Sequence, residues 1–214
     1  MGSSKGETTR ERILEAACEL FAARGFAGTT TQDICAHADA NIAAVNYHFR
    51  SKDNLYREVW AHLHEVAAER WAGSIGEVAS PEEKLRRFIR LRVETILSGG
   101  PESRFPKIIH WEMGQPTALH GELSEHYMHK RRKWFMEVIR EIVGDCLDDR
   151  TLRLAGFCIH SPLIHLIEMK ARPESAHRAR KHQHSAENPE ALVETLCTFA
   201  LAGLRELSRQ HRRK

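Results

Sequence analysis

Apolar residues recur at helical spacing along almost the whole of this 214-residue chain, and that periodicity is the strongest constraint on its fold. A stripe at i, i+3, i+4 and i+7 gives a helix one apolar face, which must then pack against other elements. The first such stripe consists of Ile13, Leu14, Ala17, Leu20 and Phe21. Helix formers (Ala, Leu, Glu and Arg) dominate the composition, whereas Gly (13) and Pro (7) are too few for a turn-rich β protein. The sequence therefore predicts an all-α fold.

Local capping signals predict where helices begin. A Thr, Ser or Asn side chain can accept a hydrogen bond from a free backbone amide, and an acidic residue three positions later favours the helix start. Such signals occur at Thr8 with Glu11, at Thr30 with Asp33, at Ser80 with Glu83 and at Asn188 before Pro189. We expect Pro162 to kink a helix over residues 151–170, and we expect the polar stretch 172–187 to be a long loop.

Several classes of protein are excluded by what the sequence lacks. The longest uncharged stretch, residues 154–167, is shorter than a membrane span, and the N-terminus has no apolar signal region. Five cysteines without a C-x-x-C pair favour a reducing cytoplasm over a disulfide framework or a zinc site. No G-x-S-x-G, G-x-G-x-x-G, P-loop or H-E-x-x-H motif is present. We therefore expect a cytoplasmic protein that is not an enzyme and carries no cofactor.

Two short predicted helices within the first 50 residues are separated by the three-residue turn Asp39-Ala40-Asn41. Asp39 can adopt a positive φ, and Ala38 and Ala40 are small enough for a close helix approach. Asn41 can cap the second helix, which covers residues 42–49. This is the spacing of a helix-turn-helix over residues 30–49, a motif whose second helix enters the DNA major groove. Charge alone would not predict it, because residues 1–60 carry seven Lys/Arg and eight Asp/Glu, a net charge of −1.

A longer run of sequence carries a family resemblance. It reads TTRERILEAACELFAARGFAGTTTQDICAHADANIAAVNYHFRSKDNLY. It combines the first apolar stripe, the Gly25-Phe26 stop, a Thr-x-x-Asp-Ile start and a Tyr-His-Phe-x-Ser-Lys-x-x-Leu end. Together these features resemble the DNA-binding domain of the tetracycline-repressor (TetR) family of bacterial transcription regulators. The resemblance covers residues 8–66, and the NIAAVNYHF form is similar to a subset of the family with a longer C-terminal domain.

The resemblance implies a role in DNA binding for ten residues. It implies that Thr30 and Thr31 lie near the DNA backbone and that Tyr47, His48 and Lys52 lie on phosphates. It also implies that five residues lie near the base edges: Asn41, Ile42, Ala43, Ala44 and Asn46. The chain departs from the family pattern at Asp39, where Gly is frequent, and at Asn46, where Tyr is frequent. Because Asn can bond adenine in bidentate fashion, base reading and phosphate contact both remain open for Asn46.

The rest of the chain resembles the family in architecture only, which implies a helical ligand-binding and dimerisation domain over residues 80–208. The last two helices would pair with those of a second copy, although their apolar residues could equally form the core of one chain. The apolar seam of the last helix is Leu192, Leu196, Phe199, Ala200, Gly203 and Leu207.

Candidate effector contacts are aromatic or mixed polar–apolar residues between positions 85 and 170. They are Phe88, Arg92, Phe105, His110, Trp111, Glu112, Met113, Tyr127, Trp134 and His165. Taken singly, residues of these types are more often ordinary core or surface residues than ligand contacts. A carboxylate beside an indole, as in Trp111-Glu112, would suit a cationic organic ligand.

The 14 histidines suggest an alternative function. Glu122, His126 and His129 share one helical face, and His177, His182 and His184 crowd one loop. Imidazoles bind metals, but no Cys joins either cluster and the spacing fits no zinc pattern, so no metal site is predicted.

The sequence thus predicts a homodimeric, ligand-responsive transcription regulator. We expect a repressor that a small-molecule effector releases from a palindromic operator in double-stranded DNA. A metal-responsive regulator that uses the histidine clusters, and a helical enzyme or adaptor that has lost its DNA function, are the alternatives.

Overall fold

The computed structural model describes residues 8–75, 80–171 and 188–212. Within these ranges the chain forms nine α-helices and a 3-10 turn at Pro101–Ser103, without any strand, and the all-α prediction is confirmed. The helices are α1 (Thr9–Arg24), α2 (Thr31–His37), α3 (Ile42–Phe49), α4 (Lys52–Ile75), α5 (Pro81–Leu97), α6 (Arg104–Gly114), α7 (His120–Val143), α8 (Asp149–Ala171) and α9 (Pro189–His211). Over the described residues, no helix combines the length and apolar character needed to cross a membrane.

The capping signals start helices where the sequence predicts. At α1 the Thr8 hydroxyl accepts from the Glu11 amide at 3.2 Å, and the Glu11 carboxylate accepts from the Thr8 amide at 2.7 Å. The same reciprocal box opens α2, and Ser80 and Asn188 cap α5 and α9. α8 continues through Pro162 as one helix. The predicted loop over residues 172–187, with His177, His182 and His184, lies outside the described residues.

The chain divides into two compact units. Unit 1 comprises Met1–Ala67 with Arg104–Tyr127, and unit 2 comprises Ala68–Ser103 with Met128–Lys214. α6 and the start of α7 therefore belong with the helix-turn-helix, although the sequence places them in the segment 80–208.

The core of unit 1 joins α1–α3 to α4 and α6. Ile13, Ile34 and Val45 are fully buried where the first three helices meet. Trp111 of α6 donates from Nε1 to the Ala22 carbonyl of α1 at 3.2 Å. Its indole ring lies against Gly25, where a Cβ would come within 3.0 Å of the ring and φ is +70°. Only glycine satisfies both requirements at the end of α1.

The core of unit 2 is built from α5, α7, α8 and α9. α9 buries one stripe, which consists of Val193, Cys197, Leu201, Leu204 and Ser208. The seam predicted from the sequence is the neighbouring stripe, of which Phe199 and Gly203 are exposed and the other four residues are half-buried. α9 is thus apolar on two adjacent faces, and only one of them serves the core of this chain.

Candidate nucleic-acid interface

α3 is anchored on one side and open on the other. Val45 and Phe49 are buried against α1 and α2, and the Asn41 Oδ1 atom caps the helix by accepting from the Ala44 amide at 2.8 Å. Tyr47 is 84% exposed. The predicted DNA-contacting residues on the open side are the exposed Asn41, Ile42, Ala43, Asn46 and Tyr47, with Ala44 and His48 half-buried. The structure therefore leaves these seven residues wholly or partly open to solvent, around the part of α3 that Val45 and Phe49 do not bury.

The turn before α3 has the predicted backbone geometry. Asp39 adopts φ = 48° and Ala38 is buried, so both requirements of the helix-turn-helix spacing are confirmed. Arg50, directly after α3, has φ = 67° and an exposed side chain, which the sequence reasoning missed. No carboxylate in the described ranges pairs with Arg50, so it is a free cation at the end of α3. The sequence feature that could have identified Arg50 as a candidate DNA contact is its position directly after the predicted recognition helix.

Thr30 and Thr31 lie at the start of α2, where Thr30 is already engaged. Its hydroxyl donates to the Asp33 carboxylate at 2.6 Å, and its amide donates to the same oxygen at 2.8 Å. These hydrogen bonds from Thr30 lower the pKa of Asp33, which keeps its negative charge. The Asp33 amide in turn donates to the Thr30 hydroxyl at 3.1 Å. What α2 offers to an anion is therefore the remaining backbone amides of its first turn rather than the Thr30 hydroxyl.

Lys52 serves a contact within unit 1. Its Nζ atom donates to the Phe26 carbonyl at 2.6 Å and lies 3.9 Å from the centre of the Phe26 ring. Burial lowers the pKa of Lys52. The ammonium group thus links the start of α4 to the segment after α1. Its other N–H groups could still donate to a phosphate.

Six of the predicted effector residues lie in unit 1, and the contacts described for them are with other residues of that unit. Phe105 packs edge-on against Trp60 at 5.5 Å, and Tyr127 lies 6.1 Å from the same ring. Trp111 packs on Gly25 as described above, His110 is half-buried, and Met113 is exposed.

Glu112 is the most enclosed of these six residues, with 2% of its surface exposed. Its Oε1 atom accepts from the Tyr56 hydroxyl at 2.8 Å, and its Oε2 atom accepts from the amide and hydroxyl of Thr117 at 3.0 and 3.2 Å. The carboxylate that the sequence suggested for a cationic ligand is thus surrounded by donors of its own unit.

The other four predicted effector residues belong to unit 2. Phe88 and Trp134 join a cluster of aromatic rings, and Arg92 follows Phe88 by one helical turn. His165 is exposed, with its Nδ1 atom 3.4 Å from the Glu168 carboxylate.

The histidine face of α7 does not form a metal site in the described ranges. Glu122 is taken by Arg57 at 3.1 Å. Elsewhere in the described ranges, one group of side chains has metal-ligand spacing. It consists of Glu15 and Cys18 of α1 and His62 of α4, whose ligand atoms lie within 4.8 Å of one another. However, Glu15 is ion-paired with Arg104, and burial raises the pKa of the Cys18 thiol to about 12. The reactive thiolate is therefore disfavoured, and we place no metal there.

A second open surface lies on unit 2, between α8 and α9. It is a groove of about 810 Å³ with mostly apolar walls, and the seam of α9 lines it. Leu154 and Phe199 at the groove, and Phe157 on α8, are large apolar side chains exposed to solvent. Such a concentration of exposed apolar surface marks an interaction site.

Two family models match the chain. Residues 13–59 match bacterial regulatory proteins of the tetR family, and residues 81–204, more than half of the chain, match the C-terminal domain of the HTH-type transcriptional dual regulator CecR. The chain is 35% identical over 106 residues to the HTH-type transcriptional repressor Rv3405c of Mycobacterium tuberculosis, covering 48% of this chain and 56% of that protein. It is 22% identical over 134 residues to the probable HTH-type transcriptional regulator YttP of Bacillus subtilis, covering 63% and 64%. The matches span less than two thirds of these relatives.

Solved structures share the fold over nearly the full length. A TetR-like transcriptional regulator from Rhodococcus sp. RHA1 has a TM-score of 0.65 at 16% identity, covering 94% of this chain and 100% of that one. The ketosteroid transcriptional regulator KstR2 of Mycobacterium tuberculosis has a TM-score of 0.63 at 20% identity, covering 94% and 97%. With the two family matches, these findings show that the chain belongs to the tetR family of bacterial regulatory proteins and carries a CecR-type C-terminal domain.

Proposed function

We propose that the protein is a homodimeric transcriptional repressor that a small-molecule effector releases from a palindromic DNA operator. The observation that carries this proposal is the open face of α3, fixed from behind by Val45 and Phe49. Two relatives, NicS of Pseudomonas putida and Rv3405c of Mycobacterium tuberculosis, are named as transcriptional repressors. As a member of the family subset suggested by the NIAAVNYHF helix, the protein would bind DNA through residues 8–66, and it would bind the effector and form the dimer through residues 80–208.

α3 would enter the major groove with its open face towards the bases. The Asn46 amide suits a bidentate pair with adenine, and the exposed Ile42 and Ala43 suit contact with a thymine methyl group. Tyr47 and Arg50 would contact phosphates at the edges of the groove, together with His48, Lys52 and the amides at the start of α2.

The second copy would dock on the groove between α8 and α9. The exposed seam of α9 is apolar and continuous, and Gly203 has open space around it, which permits a close approach by another helix. In the proposed dimer, two α3 helices would meet successive major grooves of the operator about 34–36 Å apart. Effector binding needs to alter this pairing by only about 1–3 kcal/mol to change operator occupancy.

The test is selection of genomic fragments by the purified full chain, followed by gel shifts on the selected DNA. We expect one near-palindromic sequence to be enriched. Asn46→Ala and Tyr47→Ala should each weaken its binding by roughly tenfold or more, because a good base or phosphate contact contributes about 1–3 kcal/mol. Gln115→Ala, which changes an exposed side chain just after α6 of the same unit, is the matched control and should bind as the unmodified chain does.

Two outcomes would overturn the proposal. The first is the absence of any sequence-selective complex. The second is full operator affinity in both α3 variants, which would favour a helical adaptor whose helix-turn-helix no longer reads DNA.

A further inference from the structure

Unit 2 contains a cluster of aromatic rings contributed by four helices. Trp71 of α4 lies 4.8 Å from Trp134 of α7, Phe88 of α5 lies 4.8 Å from Phe135 of α7, and His160 of α8 lies 4.5 Å from Phe135. Phe88 and Phe135 are buried, whereas Trp71, Trp134 and His160 are half-buried. The cluster therefore has a buried floor and an edge that solvent can reach.

Two guanidinium groups lie in this cluster. The Arg131 Cζ atom lies 4.9 Å from the centre of the Trp71 ring. Arg92 is one turn beyond Phe88 on α5, where the Arg131 charge lowers the pKa of Arg92 and the Arg92 charge lowers the pKa of His160. The Nε atom of Arg92 is shielded from solvent and has no hydrogen-bond partner in the described part of the chain. A buried N–H donor of this kind is costly to leave unpaired.

These cations have no counterion among the described residues. Glu94, two residues after Arg92 on α5, and Glu102 both face Arg70, at 3.8 and 3.2 Å. Burial, assisted by Arg131, lowers the pKa of Arg92 to about 10, so the group stays protonated at neutral pH. Burial and the Arg92 charge lower the pKa of His160 to about 4, so its imidazole is neutral. The shielded Nε atom of Arg92 and the half-buried guanidinium of Arg131 therefore lie at an aromatic cluster, and neither is paired with a carboxylate of the described residues. An anion from outside would satisfy both groups, because a buried cation is costly without a partner.

We infer that this cluster binds the carboxylate group of an aromatic acid, and that this acid is the effector class. Arg92 and Arg131 would donate to the carboxylate, since a guanidinium presents a planar fork that matches the two oxygens. Trp71 and Trp134 would contact the aromatic part of the ligand, which prefers offset or edge-to-face packing on indole rings. Inorganic phosphate or a sugar phosphate would leave these rings unused. The inference rests on the proposed function, because it names the ligand to which the regulator responds.

The test is calorimetric titration of the full chain, without DNA, with benzoate and 1-naphthoate. Benzamide and 1-naphthamide serve as neutral ligands of matched shape. We expect the carboxylates to bind saturably and to raise the melting temperature, and the amides to bind at least roughly tenfold more weakly. Arg92→Met and Arg131→Met should each remove this preference for the carboxylate. Arg87→Met, which breaks only the surface pair with Glu83 on the same helix, is the matched control and should keep it.

The unliganded variant separates a binding role from a structural one. Arg92→Met removes an unpaired buried charge and should leave the melting temperature unchanged or higher. A lower melting temperature with unaltered carboxylate affinity would show that Arg92 is structural and would overturn the inference. Absence of saturable carboxylate binding at millimolar concentration, or equal binding of the amides, would also overturn it. A chain that selects an operator but ignores the carboxylates refutes this inference alone, whereas failure to select DNA refutes the proposed function.

Discussion

Removing the hydroxyl group of Tyr56 should destabilise the protein by about 1.5–3 kcal/mol, the cost of a lost hydrogen bond to a charged group. The hydroxyl donates to Glu112 Oε1 at 2.8 Å, where the carboxylate is almost fully enclosed. Burial raises the pKa of Tyr56, so the hydroxyl remains a donor throughout the neutral range. Tyr56→Phe keeps the ring contacts with Phe21 and Phe26, both at 4.9 Å. The change therefore isolates one buried carboxylate oxygen that loses its donor.

Urea and thermal unfolding, followed by circular dichroism, measure this loss. For a chain of this length the predicted cost corresponds to a fall in melting temperature of roughly 3–12 °C. Tyr47→Phe is the matched control, because its hydroxyl is in solvent and surface changes usually stay within about 0.5 kcal/mol. If Tyr56→Phe is as stable as this control, the hydrogen bond between α4 and α6 does not stabilise unit 1, and the argument fails.

Two further predictions concern unit 2. Phe199→Glu places a charge on the exposed seam of α9, so sedimentation should show monomers with unchanged helicity; a dimer that persists would contradict docking through this groove. Stability should fall as pH drops from 6.5 towards 4, because the unfolded chain protonates His160 at an ordinary pKa while the folded chain resists protonation until pH about 4. The contribution is at most about 3 kcal/mol, and His160→Gln should flatten that part of the unfolding curve. An unchanged pH profile in the variant would contradict the assignment.

Features that depend on neighbouring residues could be predicted from the sequence. The capping boxes at Thr8 and Thr30, and the left-handed turn at Asp39, follow from the side chains at those positions and the amides within reach of them. The same local chemistry defines α3, because Asn41 starts it and Val45 and Phe49 fall on one face. The fold of the candidate interface could therefore be predicted from the sequence.

Features that depend on distant residues could not be predicted. Trp111 and Glu112 look like ligand contacts in sequence, yet they meet Gly25 and Tyr56, which lie far away along the chain. Lys52 looks like a free cation until the Phe26 carbonyl is found beside it. Periodicity also could not decide which of two apolar stripes on α9 serves the core, because both have the same spacing.

The net charge of −1 over residues 1–60 is compatible with DNA binding because most of the described acidic side chains in this segment form ion pairs or helix caps within the protein. Two of them pair with Arg104 of α6, two complete capping boxes, and one pairs with Arg10. These residues are Glu11, Glu15, Glu19, Asp33 and Glu58. α3 itself contains no acid, and Arg50 at its end is unopposed within the described residues. Because screening limits a charge to about 10 Å, a phosphate at α3 responds to this local surface rather than to the sum over the domain. With few cations at the interface, affinity must rest on backbone amides, hydroxyl groups and base contacts, and its salt dependence should be correspondingly shallow.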